Sequence, residues 1–240
     1  MQNLYGQILK AKQENKKLLA ILLDPDKIDW DLIDEIGINI CKSPATHVFI
    51  GGSLVLTDQI DRLINAVKSK CDLPVILFPG NPSQISTAAD GLLFLSLLSG
   101  TNPEYLIGHH IIAAPILKKT NLEIIPTGYV LIESGAKTAV EIVTQTEPLP
   151  RENSDIAVAT AIAGEMLGNK LIYLEAGSGA RLAVPQETIT RVSQEIKIPL
   201  IVGGGITTLD GIQAAYEAGA DLVVIGTAFE NDIEFFNKHK

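Results

Sequence analysis

The chain has 240 residues, 46% hydrophobic and 20% charged, with a formal net charge of −9. That length is enough for one large core, and a surface this anionic repels nucleic acid and anionic lipid headgroups. The two cysteines, Cys41 and Cys71, give neither a disulfide framework nor a metal knuckle, so a reduced cytoplasm is the expected setting.

The first stretch, "MQNLYGQILKAKQENKK", is amphipathic and polar and lacks the apolar core of a signal peptide. No apolar run reaches the ~20 residues that spanning a bilayer requires. From residue 18 onward, apolar runs recur at 18–26, 47–53, 73–81, 91–100, 123–135, 171–179, 198–206 and 221–229, each closed by Gly, Pro, Asp or Asn. Near-continuous apolar strands suit a parallel sheet covered on both faces. Helix-like segments at 30–41, 57–70, 103–119, 154–168, 185–196 and 208–218 separate most of them. The alternation predicts an α/β fold, a (β/α)8 TIM barrel with 1–240 as a single domain; an open doubly wound sheet is the rival.

Two intervals break the pattern. Between the third and fourth runs the chain offers only "PGNPSQISTAAD", whose prolines and glycine leave little room for a crossover helix. The helix there is expected to be degenerate or missing, opening a gap in the outer ring. Next, "YLIGHHIIAAPIL" (105–117) contains no Asp, Glu, Lys or Arg, although an outer helix should show water a polar face. Either a subunit interface covers it or it walls an apolar groove, and both can hold. A homo-oligomer is therefore expected rather than a lone monomer, and its size, dimer or hexamer, stays open.

Chemistry in such a barrel sits at the C-terminal strand ends. Those ends carry Asp24 and Asp26, Ser53, Tyr129, Glu133, Glu175, Gly203 to Gly205, and Gly226 with Thr227. Carboxylates and bare backbone dominate. "GGGI" after the seventh run and "GT" after the eighth suit a phosphate site, where glycine lets amide N–H groups approach an anion, and "EAGSGA" after the sixth adds Ser178 as a donor. The plainer reading is that these glycines only make tight turns.

Asp24 and Asp26 flank a proline in "LDPDK", near the Ser53 hydroxyl. Hard oxygens of this kind suit Mg²⁺, although Asp-Pro-Asp also caps helices well. Asp24, closer to the strand, is the better ligand. Glu175 stands beside the proposed phosphate cradle, placed to accept a proton from a substrate hydroxyl, or else to hold loop amides. His109 and His110 are adjacent on a helix and point ~100° apart, so they cannot share a ligand; they read as structural or interfacial. Cys41 and Cys71 do not read as nucleophiles. Lys170 precedes its strand, which leaves no lysine inside the barrel mouth for a Schiff base.

Taken together, "LLDPDK" (22–27), "FIGGS" (49–53), "TGYVLIESG" (127–135), "YLEAGSG" (173–179), "IVGGGI" (201–206) and "VVIGTAF" (223–229) resemble the geranylgeranylglyceryl phosphate synthase family and its bacterial heptaprenyl relatives. The resemblance spans essentially the whole chain. It implies a soluble prenyltransferase of ether-lipid synthesis that joins sn-glycerol 1-phosphate to a prenyl diphosphate, geranylgeranyl or a different length such as heptaprenyl. It implies Mg²⁺ held by Asp24 and Ser53. It implies glycerol phosphate held by Tyr173, Leu174, Glu175, Ala176, Gly177, Ser178 and Gly179, by Gly203 and Gly204, and by Gly226 with Thr227. Glu175 matches the family's proton acceptor, and Tyr129 in "TGY" matches a site residue. In part of the family a lysine stands before "LDP", where this chain has leucine, so Lys27 or Arg181 would substitute or the pose differs. Thr227 stands where asparagine is frequent. The alternatives are another phosphate-binding barrel, a lyase or sugar-phosphate isomerase needing no metal, and a catalytically silent barrel serving assembly.

Overall fold

The computed structural model describes residues 3–237. Strands β1 (Leu18–Leu23), β2 (His47–Gly52), β3 (Val75–Pro79), β4 (Gly91–Leu97), β5 (Glu123–Leu131), β6 (Leu171–Glu175), β7 (Leu200–Gly203) and β8 (Leu222–Ile225) run parallel in sequence order. β8 pairs back onto β1, Leu18 opposite Leu222, and closes the barrel. Closure decides against the open sheet. Each apolar run holds one strand.

The helices are α1 (Leu4–Gln13), α2 (Ile33–Lys42), α3 (Ile60–Lys68), α4 (His109–Leu117), α5 (Ala139–Thr144), α6 (Ser154–Met166), α7 (Gln186–Glu195), α8 (Leu209–Ala218) and α9 (Thr227–Asn231). Between β3 and β4 the chain makes a single 3₁₀ turn, Pro82–Gln84, with the Asn81 side chain capping the Ser83 N–H at 2.8 Å. The outer ring is open there, as the prolines require.

The period of two along each strand divides the core in two. Leu171, Tyr173 and Glu175 point into the barrel; Ile172, Leu174 and Ala176 point out toward the helices. α1 was not legible as an outer element and is not one. Its buried Leu4, Ile8 and Ala11 join the barrel-interior cluster, while the N–H groups of Leu4 and Tyr5 donate to the Glu123 carboxylate at 2.6 and 2.8 Å. The floor is thereby plugged, and ligands have only the opposite rim.

α3 is an ordinary outer helix: Ile60, Leu63, Ile64 and Val67 face the core at i, i+3, i+4 and i+7. α4 is not. It begins with a π-helical turn, Glu104–Gly108, and carries Pro115. His110, Ala113 and Leu117 face inward, while Ile107, Ile111, Ile112 and Ile116 are exposed. On α6, Ile156 is exposed, and so are Met166 and Leu167 at its end. Two helices that follow neighbouring strands thus present apolar outer faces.

Candidate active site

A cavity of about 370 Å³ opens at the C-terminal rim. Among its lining residues are Asp24, Ser53, Tyr129, Tyr173, Glu175, Gly177, Ser178, Gly179, Gly204, Gly226 and Thr227. Leu174, Ala176 and Gly203 stand back from it. The first two turn their side chains into the barrel–helix layer, because they are one strand position out of phase with Tyr173 and Glu175. Gly203 lies beneath those two residues: a β-carbon there would stand 2.5 Å from the Tyr173 hydroxyl and 3.0 Å from Glu175 Oε2. Gly204 has φ +78°, and a side chain would collide with Glu175 Oε1.

Glu175 is 6% exposed, and its Oε1 accepts the Gly177 N–H at 2.6 Å. Burial raises its pKa from 4.5 to about 7, against the lowering effect of the Gly177 N–H and the neighbouring Tyr173. The Tyr173 hydroxyl is buried beside this carboxylate and has no hydrogen-bond partner among the described residues. Burial first, then the Glu175 charge, pushes the phenols of Tyr173 and Tyr129 well above their usual value, so both stay protonated. The rings of Phe78, Tyr129 and Tyr173 form a cluster with centroids 5.4 to 6.0 Å apart.

On the opposite side, Asp24 caps the turn Pro25–Lys27, its Oδ1 accepting the Asp26 N–H at 3.1 Å. Burial raises its pKa, while the Asp26 N–H and Lys27 pull it down. Asp26 has another task. Its carboxylate accepts from the Leu56 N–H (2.7 Å), the Thr57 N–H (3.1 Å) and the Thr57 hydroxyl (2.6 Å), pinning the loop after Ser53. Burial opposes ionisation there, but those hydrogen bonds win and hold the pKa low.

Two site residues escape a reading along the chain. Glu230 on α9 reaches the rim of β1, where its Oε1 accepts the Asp24 N–H at 3.1 Å. Its only sequence signal was an acid four residues after Gly226. Gln84, 2% exposed, occupies the helix gap: it donates to the Gly52 carbonyl at 3.0 Å and accepts from the N–H groups of Gly80 (3.2 Å) and Gly52 (3.4 Å). It fixes the end of β2, where Ser53 stands.

A second cavity, about 90 Å³, lies in the gap between the Pro82–Gln84 turn, β4 and α4. Its walls are mostly apolar, including Phe78, Leu93, Leu95 and Ala113. His110 also faces it, stacked edge-on against Phe94 at 4.3 Å with Nε2 3.3 Å from the Ser96 hydroxyl. His109 also borders the groove, beside Tyr105 and with Nε2 3.6 Å from Glu104. α4 is therefore a groove wall on its inner side, whatever covers its outer side. Ser53, Phe78, Tyr129 and Val140 border both cavities. Lys170 lies away from both, over the ring of Tyr5 near the floor.

Among the described residues no helix is long and apolar enough to cross a membrane. Residues 10–239 match the PcrB family. The geranylgeranylglyceryl phosphate synthase of Flavobacterium johnsoniae is 64% identical over 234 residues, 98% of this chain and 96% of that protein. The synthase of the same name from Methanosphaera stadtmanae is 40% identical over 232 residues, 97% and 95% of the two chains. The fold superimposes on the crystal structure of (S)-3-O-geranylgeranylglyceryl phosphate synthase from Thermoplasma acidophilum in complex with sn-glycerol-1-phosphate. The TM-score is 0.92 and the identity 34%, across 99% of this chain and 95% of that one.

Proposed function

The chain belongs to the PcrB family, and from that premise we propose that it joins the C3 oxygen of sn-glycerol 1-phosphate to geranylgeranyl diphosphate and releases diphosphate. The observation that carries this reading is the shared border of the two cavities, one polar and one apolar. A small phosphate ester in the first and a prenyl tail in the second would meet at Tyr129 and Phe78.

The glycine loops of 177–179, 204 and 226 bring amide N–H groups to the ester's phosphate without the bulk of side chains. Glu175, with its pKa near neutrality, accepts the C3 hydroxyl proton as the C–O bond forms. An allylic diphosphate develops positive charge on its first carbon as it ionises, and the aromatic faces of Phe78, Tyr129 and Tyr173 suit that charge. The apolar groove holds the tail at ~0.8 kcal/mol per buried CH₂. A prenyl length other than geranylgeranyl, heptaprenyl included, is decided in that groove.

Asp24 and Ser53 set hard oxygens on the polar cavity. Among the described residues no group of three or more Asp, Glu, His or Cys could hold a metal alone. The hard carboxylate and hydroxyl oxygens of Asp24 and Ser53 suit Mg²⁺, which accepts one or two carboxylates and completes its shell with substrate oxygens and water. Asp24 and Ser53 would hold the ion, and its charge would offset that of the departing diphosphate.

The exposed apolar faces of α4 and α6 suit a second copy of the chain. Ile111, Met166 and Leu167 are 66, 83 and 77% exposed there, apolar surface of the kind that marks a protein interface. Few cations and no tryptophan flank them, unlike a membrane-lying helix. Sedimentation of the wild type against Ile111→Glu tests this: dissociation is expected, and an unchanged mass contradicts it. With both thiols free, the cytoplasm is the setting proposed.

Incubation with labelled sn-glycerol 1-phosphate, Mg²⁺ and prenyl diphosphates of several lengths, followed by organic extraction, tests reaction and tail length together. Metal-dependent label in the organic phase is expected. Turnover of a phosphate ester without any prenyl donor, and surviving EDTA, points instead to a lyase or isomerase.

A further inference from the structure

Four carboxylates line the polar cavity, those of Asp24, Asp26, Glu175 and Glu230, against one cationic side chain, Lys27. A cavity with this balance repels the anion it is built to receive unless that cation is turned toward it. Lys27 closes the turn after β1, and its ammonium reaches across the mouth to the loop after β6. Its three oxygen neighbours are Ser178 Oγ at 3.2 Å, Asp24 Oδ2 at 3.5 Å and Glu230 Oε2 at 3.5 Å. All three are longer than the roughly 2.7–2.9 Å of a charge-assisted hydrogen bond. The ammonium is held in place by surrounding oxygens without being saturated by any of them. Its side chain is 44% exposed, so it is free to shorten contacts to an incoming anion.

Resting on the reading above, we propose that Lys27 is the cation that binds the phosphoryl group of glycerol phosphate, and that Glu230 is its positioning residue. The ammonium's shortest contact chooses this anion over the prenyl diphosphate: it is to Ser178, in the glycine loop that lines the polar cavity. Glu230 ties the arrangement together: one oxygen takes the Asp24 N–H and the other faces the ammonium, anchoring Lys27 to α9 just beyond Gly226 and Thr227.

Calorimetric titration in EDTA with sn-glycerol 1-phosphate, and separately with inorganic phosphate, tests the assignment. Lys27→Ala is expected to weaken both by about tenfold to hundredfold, the range of one charge-assisted hydrogen bond. Lys27→Arg keeps the charge and stays within about threefold. Glu230→Gln raises KM for glycerol phosphate and leaves KM for the prenyl diphosphate unchanged, a split that a purely structural role would not produce. Wild-type affinity in Lys27→Ala overturns the proposal, as does a loss confined to the prenyl diphosphate. A wild type that binds phosphate through Lys27 yet forms no ether product upholds this assignment and removes the reaction proposed above.

Discussion

Replacing Glu175 by glutamine separates its chemical role from its structural cost. Glutamine keeps the shape, and its carbonyl can still accept the Gly177 N–H. Without a carboxylate at the C3 hydroxyl, turnover should fall by about 10²–10⁴, the usual worth of a positioned base. Stability should move the other way. The folded pKa of about 7 exceeds the ordinary 4.5, so the native state favours the protonated form. That preference is fully present below pH 4.5 and lost as pH rises through 7, where the buried charge costs on the order of 3 kcal/mol. At pH 8 the variant should therefore melt roughly 6–12 °C above the wild type for a chain of this size. Near pH 4.5 the two should melt together. The assay is paired thermal melts from pH 4.5 to 8, alongside a pH–rate profile in which wild-type kcat/KM climbs tenfold per unit and levels off near pH 7. Coincident melts at pH 8, or a variant with wild-type turnover, would refute the assignment of a buried, functional carboxylate.

Asp24→Ala is expected to abolish turnover while the fold persists, since the side chain's structural contacts are one turn cap and a long ion pair to half-exposed Lys27; wild-type rate at saturating Mg²⁺ contradicts it. Gly203→Ala forces a methyl against Tyr173 and Glu175 and should lower kcat at least tenfold; an unchanged rate shows the two side chains are free to yield. Ala113→Phe fills the groove and should raise KM for the prenyl diphosphate while calorimetry still reports wild-type binding of glycerol phosphate; equal losses for both substrates refute two separate subsites. His47 is 3% exposed with Nε2 unpartnered, and burial lowers its pKa from 6.5 to about 4. The stability of the neutral ring is present above pH 6.5 and lost as pH falls toward 4, on the order of 3 kcal/mol. Denaturant titrations in the Glu175→Gln background should show that fall, and a flat profile there removes it.

The barrel was legible because short apolar runs closed by glycine and proline have few other uses, and prolines at 79 and 82 exclude a helix as firmly as any contact could. The apolar character of 105–117 anticipated the groove wall. The two-residue period that carries Tyr173 and Glu175 inward turns the side chains of Leu174 and Ala176 out to the helix layer. Asp26 and Asp24 look alike in "LDPDK"; only the folded position of the 54–57 loop gives Asp26 its partners. Glu230 was out of reach for a related reason. It meets Asp24 across 206 residues of sequence, a contact created by barrel closure and announced by no local pattern. His110, taken as structural or interfacial, proved to face the groove, because the missing helix leaves that side of α4 uncovered.

The central claim is that two substrates of opposite character meet at one border, beside Glu175. A crystal structure of the protein with sn-glycerol 1-phosphate and an unreactive prenyl thiodiphosphate measures this directly. The account predicts the glycerol C3 oxygen about 3–3.5 Å from the first prenyl carbon and within hydrogen-bond reach of Glu175. A prenyl tail lying outside the groove along α4, or reacting atoms held too far apart to touch, would contradict it.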